Sequence, residues 1–166
     1  MKAMGERNLI VRSEVLIEAS PSEVWELLDR LQEWKESIAS LECLEGATGQ
    51  EGAVLRIGQR SGDQISHLIL KTLRRRRPEW TVFEVTVESS PATQGYFVYS
   101  LYERGSQTLL VNDLLVRYGD SVADLHCSSI EAATRVMQEA TQTKLDNDNR
   151  KLKRLVEQRQ STSRNK

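Results

Sequence analysis

Residues 15–28 read Val15-Leu16-Ile17-Glu18-Ala19-Ser20-Pro21-Ser22-Glu23-Val24-Trp25-Glu26-Leu27-Leu28, and two periodicities meet inside them. The first half continues an alternation that starts at Leu9. Leu9, Val11, Val15, Ile17 and Ala19 share one side, while Arg12, Glu14 and Glu18 share the other. Ile10 and Leu16 interrupt the outer side, but the pattern is that of a half-buried strand. Ser20-Pro21-Ser22-Glu23 then reads as a helix start. Ser20 is placed to cap, Pro21 takes the first helical position where its missing N–H costs nothing, and Glu23 can reach back to the Ser20 amide. Val24, Leu27, Leu28 and Leu31 follow at helical spacing with Trp25 beside them. A strand therefore turns directly into a short amphipathic helix.

Downstream of this switch the period stays near two. Trp34 to Ile38 reads as a second short helix or turn, and Leu41 to Leu44 opens a strand before the loop Gly46 to Gly52. Val54–Gln59 and Ile65–Leu73 read as strands about a turn at Ser61-Gly62-Asp63, and Pro78 marks the next reversal. Trp80–Glu88, Gly95–Tyr102 and Thr108–Tyr118 complete the series, the last two joined at Arg104-Gly105-Ser106. Strands at this spacing with short turns predict an antiparallel meander. A closing helix follows, with Asp120 or Ser121 as its cap. Its face runs through Val122, Leu125, Ser129, Ala132, Ala133, Val136, Ala140, Leu145, Leu152 and Leu155. An interruption is expected near Ser128-Ser129, and low helix propensity at Asn147-Asp148-Asn149 predicts a kink or weakened turn. Residues 1–8 form an N-terminal extension, and residues 158–166 read as a disordered tail.

The 166 residues suffice for one domain with its own core. A net charge of -1 argues against a nucleic-acid binder, which carries a basic excess. No apolar run approaches the ~20 residues that span a bilayer. The first eight residues lack the apolar segment of a secretory signal, so the expected location is cytoplasmic, with Cys43 and Cys127 as reduced thiols.

The stretch from Val15 to Leu28 resembles the opening of the START-like or Bet v 1-like (SRPBCC) superfamily, in its polyketide cyclase/dehydrase and lipid-transport branch. Members begin with an apolar strand, an Ala-x-Pro-x-x-Val-Trp turn into a helix, and an aromatic that ends the helix. Trp34 stands in the aromatic place, and Gly105-x-x-Thr108 and Leu152-x-x-Leu155 are also similar. Many members continue with Pro and another aromatic where this chain has Lys35-Glu36-Ser37. The resemblance spans residues 9–157 and implies an α+β helix-grip fold: a curved antiparallel sheet wrapped around a long C-terminal helix, with two short helices after the first strand. It also implies a cavity between sheet and helix for a hydrophobic small molecule such as a lipid, isoprenoid or polyketide-like compound.

The side chains expected to line that cavity are Trp34, Ile38, Ile57, His67, Ile69, Phe83, Val85, Phe97, Tyr99, Leu110, Asn112, Leu114, Ala133 and Val136. Val116 continues the inward set of the last strand. His67 shares a strand face with Ile65 and Ile69. If that face looks inward its imidazole could act as a general base, and if outward it is merely exposed. Tyr99 is the other acid–base candidate, and a buried Asn112 amide would need a partner, either a ligand or a neighbouring side chain. The two histidines stand in no ligand-spaced cluster, so neither a metal nor a cofactor is expected. Three functions are in view: binding of an apolar molecule; a polyketide cyclase, aromatase or dehydratase using His67 or Tyr99; and a protein-interaction module. The third would use the Arg74–Arg77 run, whose simplest reading is a solvated strand end. A homodimer through an edge strand or helix is left open.

Overall fold

The strand-to-helix switch folds as its residues dictate. The Ser20 N–H donates to Glu23 Oε2 at 2.9 Å, and Ser20 Oγ accepts from the Glu23 N–H at 3.4 Å, forming a reciprocal capping box. Those bonds from Ser20 hold the Glu23 carboxyl below its ordinary pKa. The computed structural model describes residues 7–118 and 130–165. Strand β1 (Arg7–Ile17) leads into α1 (Pro21–Leu28) and α2 (Leu31–Trp34). Six strands follow: β2 (Ile38–Glu45), β3 (Val54–Ser61), β4 (Gln64–Arg76), β5 (Trp80–Val87), β6 (Ser90–Arg104) and β7 (Gln107–Tyr118). Helix α3 (Ile130–Arg164) closes the chain.

All pairings are antiparallel, in the order β1-β7-β6-β5-β4-β3-β2. The meander from β2 to β7 is thus completed by β1, which returns to pair with the last strand. Gly62 and Gly105 carry φ of 60° and 62° in the two-residue turns before β4 and β7. Tight hairpin turns require that left-handed conformation, which glycine adopts without steric cost. Thr108 Oγ1 donates to the Ala19 carbonyl at 2.7 Å and ties the β1–α1 corner to β7. The helix-grip architecture expected from the resemblance is present.

One end of the fold is solid. Trp25, Leu27, Leu28 and Trp34 of the short helices pack with Ile17, Leu101, Leu110, Leu152 and Val156 in one buried cluster. Arg75 closes the outside of this cluster. Its guanidinium lies 5.0 Å from the Trp25 ring centre and grips both Asp29 oxygens at 2.7 and 2.9 Å. Arg74 pairs with Glu51 and Arg76 with Glu79. Arg74 and Arg76 stay largely exposed, as a solvated strand end would be, whereas Arg75 is buried in its pair with Asp29.

Helix α3 meets the sheet through a polar row. Thr81, Tyr99, Asn112 and Ser13 lie side by side across β5, β6, β7 and β1. The Asn112 side chain donates to Asn149 Oδ1 at 2.5 Å, and Asn149 Nδ2 donates to Ser13 Oγ at 2.9 Å. Both asparagines are fully buried. The segment Asn147-Asp148-Asn149, expected to weaken the helix, instead supplies its anchor, and α3 runs unbroken from residue 130 to 164. Its last turns are helical where a frayed tail was expected. Arg159 pairs with Glu33, and Gln160 donates to Glu23 at 2.8 Å, so α1 and α2 hold residues otherwise lacking an apolar stripe. The expected cap at Asp120 or Ser121 and the break near Ser128-Ser129 lie outside the described residues.

Asn149→Ala should remove both bonds and strand the Asn112 amide, costing about 2–4 kcal/mol of stability in urea denaturation. The neighbouring exposed Asn147→Ala should change it by less than about 0.5 kcal/mol.

Candidate functional site

Beyond the polar row the inner face of the sheet stands away from α3, and a cavity of about 260 Å³ opens between them. The register defines its walls. Phe83, Phe97 and Leu114 form one row across β5, β6 and β7, and Leu70, Val85, Gly95 and Val116 form the next. Leu68 and Val87 are paired beyond that, with Ile57 on β3 opposite Leu68. Successive inward residues on each strand differ by two positions, as pleating requires. Gly95 is built in: a Cβ there would strike the Leu115 carbonyl oxygen. Ile38, Leu31 and Leu145 complete the apolar boundary from the helices and β2, with Thr141 beside them on α3.

Seven of the expected lining residues border this space: Ile38, Ile57, Phe83, Val85, Phe97, Tyr99 and Leu114. Others do not, each for a geometric reason. His67 and Ile69 fall on the outer face, because Leu68 and Leu70 between and beyond them point inward. His67 Nδ1 lies 3.9 Å from Glu88, which also pairs with Arg56 at 2.9 Å. Trp34 is fully buried beneath Tyr99, its ring edge-on at 6.0 Å between centres. Leu110 belongs to the solid core, one row past the polar row. Asn112 lies in the polar row, where its Nδ2 donates to Asn149 while its Oδ1 is buried without a hydrogen-bond partner. Val136 is half exposed, because the stripe of α3 that faces the sheet runs through Leu145, Asn149, Leu152 and Val156 instead. The side chain of Ala133, together with His126 and Cys127, lies outside the described residues. Cys43 is an exposed free thiol.

The charged groups of the cavity were not legible as such. Lys35 follows directly on α2, and its ammonium enters the space above three rings. Its Nζ lies 4.9 Å from the Trp34 ring centre, 4.7 Å from Phe97 and 5.8 Å from Tyr99, distances at which ring faces attract a cation. Asp148 Oδ2 stands 3.6 Å from it, both side chains being nearly buried at 14 % and 9 % exposure. Lys144, one turn earlier on α3, lines the same cavity. The signal was a departure from the resembled pattern: a lysine occupies the place of the proline after the helix-ending aromatic.

Burial shapes the proton chemistry here. Desolvation pulls Lys35 down from the ordinary lysine value of 10.5 to about 8, aided by Lys144 and opposed by Asp148. Lys144 is lowered for the same reason, again with Asp148 opposing. Tyr99 is pushed well above the ordinary phenol value, first by burial and then by the Asp148 charge, so its hydroxyl stays protonated. Among the described residues no three His, Cys, Asp or Glu side chains come together as a metal site, and no helix is long and apolar enough to cross a membrane.

Comparison with solved structures finds the same architecture repeatedly. A protein of unknown function from Staphylococcus aureus superposes with a TM-score of 0.75 at 15 % identity, covering 96 % of this chain and 99 % of that one. The ZhuI aromatase/cyclase from a Streptomyces species gives 0.70 at 16 % identity, covering 92 % and 96 %. Ara h 8.0201 gives 0.59 at 13 % identity, covering 88 % and 99 %. No protein-family model matches the chain, and no curated protein matches it by sequence. The protein shares the helix-grip fold of these structures.

The Lys35 titration has a defined sign. Its pKa is lower folded than unfolded, so as pH falls from about 10.5 the unfolded chain takes the proton first. Stability therefore declines down to about pH 8 and levels off below it. Comparing wild type with Lys35→Met in urea isolates this group from Lys144 and Tyr99. Wild type should gain about 2 kcal/mol relative to the variant between about pH 7 and about pH 9.5.

Proposed function

We propose that this protein binds a hydrophobic small molecule in the cavity between its sheet and α3. The observation that carries the reading is a partly open cavity of about 260 Å³ whose surface is mostly aliphatic and aromatic, with Ser37, Gln59, Thr93 and Gln94 among the polar side chains at its border. Such a lining gives affinity through apolar burial, at about 25 cal/mol per Å² before ordering costs, while sparse polar groups fix orientation. The volume lies just below the roughly 300–1,000 Å³ of drug-sized pockets. It therefore favours a compact ligand or one end of a longer one.

A second reading, catalysis of the aromatase or cyclase kind, is favoured by one observation: an amine of depressed pKa and a protonated phenol face the same cavity. Neutral Lys35 would remove a proton beside a ketone, and the Tyr99 hydroxyl would donate to the enolate oxygen. His67 takes no part, since it lies on the other face. With a poly-β-keto thioester, Lys35→Met should lower turnover about a hundredfold with binding retained, and equal turnover in the variant would exclude this chemistry.

Binding itself is tested with an apolar fluorescent probe. Val85→Trp, which fills the middle of the cavity, should weaken probe affinity by at least about tenfold, whereas His67→Ala on the outer face should leave it within about twofold. Undiminished affinity in a folded Val85→Trp protein would place the ligand elsewhere.

A further inference from the structure

Among the described residues two amines, those of Lys35 and Lys144, line the cavity, and one carboxylate, that of Asp148, stands beside Lys35. Lys35 is matched by Asp148. Lys144 lines the same space, and among the described residues no carboxylate stands within ion-pair distance of it. Tyr99 lines the same space, its ring held on three sides by Trp34, Phe83 and Phe97. A positive charge withdrawn from water and left without a counter-ion is costly.

We infer that the ligand is an apolar acid, whose single anionic head is received by Lys35, Lys144 and Tyr99 while its hydrocarbon body fills the rows around Val85 and Leu114. This deepens the binding reading and rests on it. One negative charge would balance the second ammonium, and its oxygens would accept from both amines and the phenol. A neutral alcohol of equal length would fill the same rows yet leave the charge unmatched. An amine would add a third cation to the site. The aromatic rings beneath Lys35 keep its ammonium near the cavity end without consuming its donors, so they remain available to an oxygen. Because burial disfavours both ammonium forms, an arriving anion also favours protonation of the lysines. The groups facing Lys35 in this exchange are Asp148 and Lys144 from α3 and Tyr99 from β6.

The test compares decanoate, 1-decanol and decylamine by isothermal titration calorimetry on the full chain near neutral pH. Decanoate should bind at least about tenfold more tightly than decanol, and decylamine more weakly than either. The preference for the acid over the alcohol should shrink at least about threefold in Lys144→Gln or Lys35→Met. Lys144→Gln breaks no ion pair among the described residues, so it serves if Lys35→Met fails to fold. Decanol binding as tightly as decanoate would overturn the acid assignment while leaving the binding reading intact, and so would a preference unchanged in every variant that folds. Failure of both decanoate and decanol to bind would overturn both.

Discussion

Four polar side chains on adjacent strands, Thr81, Tyr99, Asn112 and Ser13, set the terms for everything else in this fold. Apolar contact alone would let a long helix slide along a sheet, since burial is nearly indifferent to small translations. Hydrogen bonds are not. By accepting from Asn112 and donating to Ser13, Asn149 fixes the height and rotation of α3 over the inner face. On one side of the row the helix closes on a solid core around Trp25, Trp34 and Leu152. On the other side it spans a gap that the inward side chains do not fill.

The two ends of the fold follow different rules. The solid end is held by large buried rings and by the Arg75–Asp29 pair stacked on Trp25. The open end keeps Lys35, Lys144, Tyr99 and Asp148 close together in poor solvation, an arrangement that adds nothing obvious to stability. Groups held at such a cost are commonly found where proteins meet ligands. That contrast sets the open end apart from the arginine run, whose sequence is more conspicuous but whose side chains pair at the surface or brace the solid end.

The sequence carried the topology well because it is written in local signals. The Ser20-Pro21-Ser22-Glu23 cap, the alternation of Phe83, Val85 and Val87, and the glycine turns each dictate a backbone conformation by near-neighbour physics. Strand β2, with little alternation, was legible only at its centre. The site was less legible because parity within a strand does not say which face looks inward. His67 and Leu68 are equally plausible lining residues until the register with β3 and β5 is known, and the sheet then chooses Leu68. Asn149 and Asp148 were misjudged for a related reason. Helix propensity counts the local cost of an asparagine or aspartate but not the partner waiting across the fold, here Ser13 and Asn112 for one and Lys35 for the other. The lysine could have been singled out, since it replaces a proline of the resembled pattern.

The polar row also divides evolutionary labour. The anchor of α3 lies in one register of the sheet, while the rows around Phe83, Phe97 and Leu114, and around Val85 and Val116, lie in the next two. Substitutions in those rows alter the shape of the container without touching the bonds that keep the helix in place. A lineage can therefore reshape the cavity by small changes of side-chain volume while foldability is inherited separately. Sequences built on this plan can drift far apart in their linings and still superpose along most of their length.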